Sequence, residues 1–127
     1  MKIEPWDPAR HFATYEKWMR FYDLPTAGPE AMPRTGFVID QLAMCFLIRT
    51  DTPLAIIEGL VGNPWLPRAQ VDAALDAVVS EVIAAARAEG FRVLQGTTEF
   101  QAVVDRALEL GFTVDPRPFQ IVVRTLG

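Results

Sequence analysis

Two stretches, residues 43–50 (AMCFLIRT) and 54–61 (LAIIEGLV), are almost continuously apolar and are parted only by Asp51-Thr52-Pro53. Central strands covered on both faces read this way, and so short a connection makes them antiparallel neighbours. Close behind them, residues 68–89 carry Val71, Leu75, Val78, Val79, Val82, Ile83 and Ala86 at helical spacing. Gly90 can end this helix in a left-handed cap, and residues 92–96 then read as a strand. Residues 54–96 are therefore a β-α-β crossover, parallel and right-handed, within a sheet otherwise made of hairpins. A chain with this centre is bound to a mixed sheet.

The flanking segments extend the pattern. Residues 1–5 read as a short strand. Asp7-Pro8 is a helix start, because the Asp oxygen accepts from orphan amides and Pro lacks the N–H that its position would waste. The helix over 8–22 carries Phe12, Tyr15, Trp18, Met19 and Tyr22 on one broad face. Residues 24–33 (LPTAGPEAMP) form a loop, and 36–40 a further strand. Thr98 with Gln101 predicts a capping box for a last helix striped by Phe100, Val103, Val104, Ala107 and Leu108, closed by Gly111. Two final strands are expected, at Val114 with its neighbours and over 119–126. The expected architecture is a single α/β domain over residues 1–127, with a mixed central sheet of about seven strands and helices on both faces.

Composition narrows the function classes. The 127 residues hold 12 basic and 16 acidic side chains, a formal charge of -4, spread evenly along the chain, so nucleic-acid binding by phosphate neutralisation has no footprint. Cys45 is the only cysteine and His11 the only histidine, which excludes a disulfide within the chain and a Cys/His zinc cage; no metal is expected. No apolar run approaches a membrane span and the N-terminus lacks a signal-peptide core, so a cytoplasmic protein without membrane partners is expected.

The element order, with a hydrophobic strand, a long helix, a strand and a second helix ending in Leu-Gly-Phe, resembles the GNAT superfamily of acyl-CoA-dependent N-acyltransferases. The likeness covers most of the chain. Its most particular stretch, GFVIDQLAMCFLIRTDTPLAIIEGLVGNPWLPRAQVDAAL with the AEGF and ELGF that follow, is similar to short GNAT-like proteins of bacteriophages, with Asn63-Pro64 after the fourth strand. The resemblance implies acetyl-CoA or coenzyme A as co-substrate, an amine acceptor, and pantetheine beside the end of the fourth strand, residues 58–61, with Leu60 and Val61 lining it. It places the pyrophosphate at the next helix start, on Arg68, Ala69, Gln70, Val71 and Asp72. Helix N-termini suit anions in any family, since free N–H groups and the helix dipole converge there.

Two departures from the family pattern matter. The glycines that usually let backbone approach the pyrophosphate are replaced by PRAQVDAAL, and Asp72 takes the place of the last small residue, where a carboxylate repels phosphate unless it points away. The tyrosine that many members carry shortly before Leu-Gly-Phe is absent; Arg106 or Ala107 stands there.

Amine acylation needs a base for the ammonium proton, donors for the developing oxyanion and an acid for the leaving thiolate. Glu58 interrupts LAIIEGLV where family members often carry a glutamate, and is the base candidate; the competing reading is an outward or salt-bridged strand residue. Tyr15 and Tyr22 serve as the acid only if the first helix lines the cleft, and otherwise belong to the core or its rim. Cys45 reads as a packing residue and His11 as a surface or capping one. Trp65, between two prolines, suits either a ligand or partner contact or a place on the core. The alternative to an enzyme is a catalytically weak GNAT-fold phage effector that binds a host bacterial protein. The apolar last strands also allow a homodimer.

Overall fold

The computed structural model describes residues 1–127. The Asp7 side chain accepts from the Ala9 N–H at 3.1 Å, and Pro8 opens α1 (Pro8–Phe21) as its sequence dictates. In chain order the elements are β1 (Glu4–Pro5), α1, a short 3-10 turn at Pro29–Ala31, β2 (Thr35–Ile39), β3 (Ala43–Ile48), β4 (Leu54–Gly62), α2 (Arg68–Ala88), β5 (Val93–Gln95) and α3 (Gln101–Glu109). The sheet has five strands in the order β1-β2-β3-β4-β5. Its first four are antiparallel to their neighbours, and β5 runs parallel to β4 across the α2 crossover.

Residues 1–97 form one compact unit. Alternation along the strands sends Val38, Met44, Phe46 and Val61 to one face, where they meet Trp6, Tyr15 and Trp18. On the other face lies α2, whose Val71 and Leu75 press so closely on β4 that a Cβ on Gly62 would lie 2.5 Å from Val71. Residues 43–47 of β3 are all buried, as its apolar run predicted, whereas β4 buries only Ala55, Val61 and Gly62 and is not covered on both faces along its length. Arg49, at the end of β3, binds both carboxylate oxygens of Glu89, next to the end of α2.

Residues 98–127 form the second unit. Here α3 buries no residue, and the expected capping box is not made: Phe100 takes the cap position with no side-chain bond, while Thr98 Oγ1 accepts from the Phe100 N–H at 3.1 Å. The two final strands expected from the sequence are also absent. Residues 112–127 carry no regular secondary structure, so the sheet has five strands and not about seven. Strand propensity describes side chains that fit a pleated surface, and a strand exists only where another strand completes its ladder. Ile121, Val122 and Val123 are accordingly 92%, 91% and 84% exposed.

Candidate active site

β4 is built in two halves. Leu54, Ala55 and Ile56 pair on one side with β5, opposite Val93, Leu94 and Gln95. From Ile57 to Gly62 the strand goes on pairing with β3 alone, so the two parallel neighbours separate ahead of α2. The parting begins where Gly96 crosses Ile57: a Cβ on Gly96 would lie 3.1 Å from the Ile57 carbonyl oxygen. The peptide groups that Ile57–Gly62 direct away from β3 have no strand partner.

A β-bulge sits in this open half. Phe46 faces Glu58 and Met44 faces Val61, so Gly59 and Leu60 together oppose the single residue Cys45. Gly59 has φ +67, a conformation that L side chains rarely adopt, and a Cβ there would lie 2.8 Å from Phe46 Cδ2 and 3.1 Å from Tyr15 Oη. A glycine inside an apolar strand is the sequence signal for such a bulge. It was legible in LAIIEGLV and was missed.

Glu58 occupies the bulge's first flank, opposite Phe46 and on the face that α1 covers. It is exposed, not buried among the apolar residues that surround it in sequence, so its carboxylate can exchange protons with water. Tyr15 faces the same place from α1. The ring is 5% exposed and is held edge-on by Phe46 at 5.3 Å and by Trp6 at 5.9 Å. Burial first, then the negative charge of Glu58, pushes its phenol up to about 12. In the same cluster Trp6 Nε1 is a buried donor with no protein partner. Cys45 is a packing residue: it is fully buried, its Sγ lies 3.8 Å from the Glu58 carbonyl oxygen, and burial raises its thiol to about 12.

The start of α2 lies at the end of the open half. Its cap residue is Pro67, with no side-chain cap bond. The Pro67 carbonyl accepts from the Gln70 and Val71 amides at 3.1 and 3.2 Å, which leaves Arg68 and Ala69 as the first-turn amides beyond its reach. Arg68, Ala69 and Gln70 are exposed, Leu60 is half-buried, and Val61 and Val71 are buried. Arg68 Nε meets Asp72 Oδ1 at 3.2 Å, so the carboxylate that the sequence put beside this helix start is paired with its own turn. Asn63 fixes the approach: its N–H donates to the Leu42 carbonyl, its amide to Gln41 O, and its Oδ1 accepts from the Trp65 N–H. Trp65 is 53% exposed, with the edge of Phe21 at 5.4 Å and Lys17 Nζ 4.9 Å from its ring centre.

His11 takes the capping role expected of it, on the N–H of the cap residue Asp7, and not the surface one. It is buried, and it ties β1 to α1: Nδ1 accepts from the Asp7 N–H at 2.9 Å, which puts the proton on Nε2, 2.7 Å from Glu4 Oε1. Donation from His11, with Arg10 adding its charge, holds the Glu4 carboxyl below its ordinary range. No group of three or more His, Cys, Asp or Glu side chains is placed to hold a metal ion. No helix is long and apolar enough to cross a membrane.

Among solved structures, an acetyltransferase of Trypanosoma brucei superposes with a TM-score of 0.69 at 14% identity, covering 96% of this chain and 99% of that one. The fold is that of the GNAT acetyltransferases. A transcriptional regulator of Bacillus halodurans has the same likeness, with a TM-score of 0.70, 16% identity and coverage of 96% and 99%. An aminoglycoside acetyltransferase from a soil metagenome, solved with sisomicin, matches at 0.65 and 12% identity, covering 98% of this chain and 96% of that one. At such identities the GNAT likeness is one of fold. No family model and no curated protein matches the sequence.

Proposed function

We propose that this chain is an acyl-CoA-dependent N-acyltransferase that moves an acetyl or other acyl group from coenzyme A to an amine. The observation that carries the reading is the unpaired second half of β4, with its bulge, leading into an uncapped helix start. In this reading the Arg68 and Ala69 amides, the α2 dipole and the Arg68 charge hold the pyrophosphate, with Gln70, Val71 and Asp72 completing the turn. The free peptide groups at Leu60 and Val61 hold the pantetheine arm. Pairing of Asp72 with Arg68 supports the fit, since the carboxylate is engaged away from an incoming phosphate.

Glu58 is the base. It takes the proton of the attacking ammonium and passes it to water, which its exposure permits. The amine nitrogen then bonds to the thioester carbon, the carbonyl oxygen becomes an oxyanion beside the bulge, the nitrogen gives its second proton to Glu58, which the first proton's passage to water has freed, and the C–S bond breaks to release coenzyme A as thiolate. Thiolate takes its proton from solvent. Calorimetric titration with acetyl-CoA and with CoA tests the binding half of this reading, and turnover by wild type against Glu58→Gln tests the chemical half. Saturable heat and a loss of kcat of about 10²-fold or more in Glu58→Gln are expected. Absence of heat and of any thermal shift at millimolar ligand would end it.

A second reading draws on the exposed Phe21–Trp65 pair with Lys17 across it, the composition of a protein-docking surface. In that reading the chain is a catalytically weak GNAT-fold protein of bacteriophage type, acting in the host cytoplasm by binding a host protein. Trp65→Ala would then lose the partner while leaving acetyl-CoA binding intact. The exposed apolar residues 119–126 give either reading a route to a homodimer, which sedimentation would detect.

A further inference from the structure

We propose that Tyr15 donates a hydrogen bond from Oη to the acyl oxygen at the β4 bulge and so stabilises the oxyanion of the transfer reaction. The inference rests on the acyltransferase reading and adds to it a residue from a helix that the sequence placed in the core.

Three observations converge on Oη. The first is position: the oxygen lies 3.1 Å from where a Cβ of Gly59 would be, over the residue that adjoins Glu58. Only glycine leaves that space open, so the residue that permits the bulge also uncovers the hydroxyl. The second is rigidity. Phe46 and Trp6 hold the ring edge-on at interplanar angles of 82° and 77°, and the side chain is 5% exposed, so the donor is set before any substrate arrives. The third is the shared face. Glu58 stands opposite Phe46, whose ring also supports Tyr15, so base and donor flank one point on β4.

The chemistry selects donation over proton transfer. A phenol whose burial raises it to about 12 keeps its proton at neutral pH, and it is too weak an acid to protonate a thiolate, whose conjugate thiol ordinarily titrates near ~8.5. A neutral, fixed O–H binds an oxyanion more strongly than a carbonyl, which is the difference that accelerates the step. Tyr15 therefore ends the cycle as it began. The amine protons leave through Glu58, and the C–S electrons leave with sulfur.

The test is Tyr15→Phe, which keeps the ring and removes one oxygen. Turnover of acetyl-CoA is followed with a panel of primary amines, and also as slow hydrolysis without amine. Tyr15→Phe should lower kcat by about 10²-fold or more, leave the acetyl-CoA affinity within about twofold, and hold the same ratio to wild type between about pH 6 and 9. An active wild type with unchanged kcat in Tyr15→Phe overturns this inference alone, as does a ratio that varies with pH, which would mean proton transfer. A wild type that turns over acetyl-CoA under neither condition overturns the acyltransferase reading and this inference with it.

Discussion

At its first turn α1 is finished by its own chain: Asp7 accepts from Ala9, Pro8 supplies no N–H, and His11 and Glu4 anchor the turn to β1. At its own first turn α2 has Pro67 as cap with no side-chain bond, exposed Arg68 and Ala69, and the unpaired half of β4 before it. Both helices belong to the same compact unit and carry the same dipole, so the contrast is one of completion. A helix start that closes on itself is structural, whereas one left open at the end of a split sheet has amides to give.

The largest effect comes from erasing that contrast. Pro67→Asp would give α2 the carboxylate cap that α1 has, occupying a first-turn amide and adding a negative charge where a phosphate would sit. Calorimetry should show affinity for CoA falling by about tenfold or more, with the thermal midpoint unchanged or raised. Unchanged affinity would mean that the start of α2 plays no part in binding.

The reciprocal change is smaller and of a different kind. Asp7→Ala should cost about 1 kcal/mol of stability, read as a lower denaturation midpoint, and leave CoA affinity as it was. Lost affinity would show that the two helix starts are not independent.

The smallest effect is one of pH. The folded-state carboxyl of Glu4 lies below its ordinary 4.5, so its contribution is present above that value and is lost as pH falls through it toward the folded value. Thermal midpoints of wild type should drop below about pH 5 more steeply than those of Glu4→Gln, and parallel curves would remove the Glu4–His11 tether from the account.

Much of this contrast was written in the sequence, and some of it was not. The Asp7-Pro8 start, the apolar runs of β3 and β4, the α2 crossover and the caps at Gly90 and Gly111 are local signals, and each appears within a residue or two of its expected place. Glu58 was singled out, and Cys45 read as packing, because a charge or a thiol stands out in an apolar strand. The burial of His11 was not foreseen, because its partner Glu4 lies seven residues away on another element. The place of Tyr15 depends on how α1 crosses β4, which periodicity cannot supply. The final strands failed for the reason that makes all strands non-local: residues 119–126 have the side chains of a strand and no ladder to join.

The most direct test of the central claim is an amide-resolved NMR titration of the isotope-labelled protein with coenzyme A. Saturable shifts are expected at Arg68 and Ala69 and at Leu60 and Val61, while Ala9 and Arg10, at the completed start of α1, stay in place. Shifts absent from β4 and the start of α2 at millimolar coenzyme would contradict it.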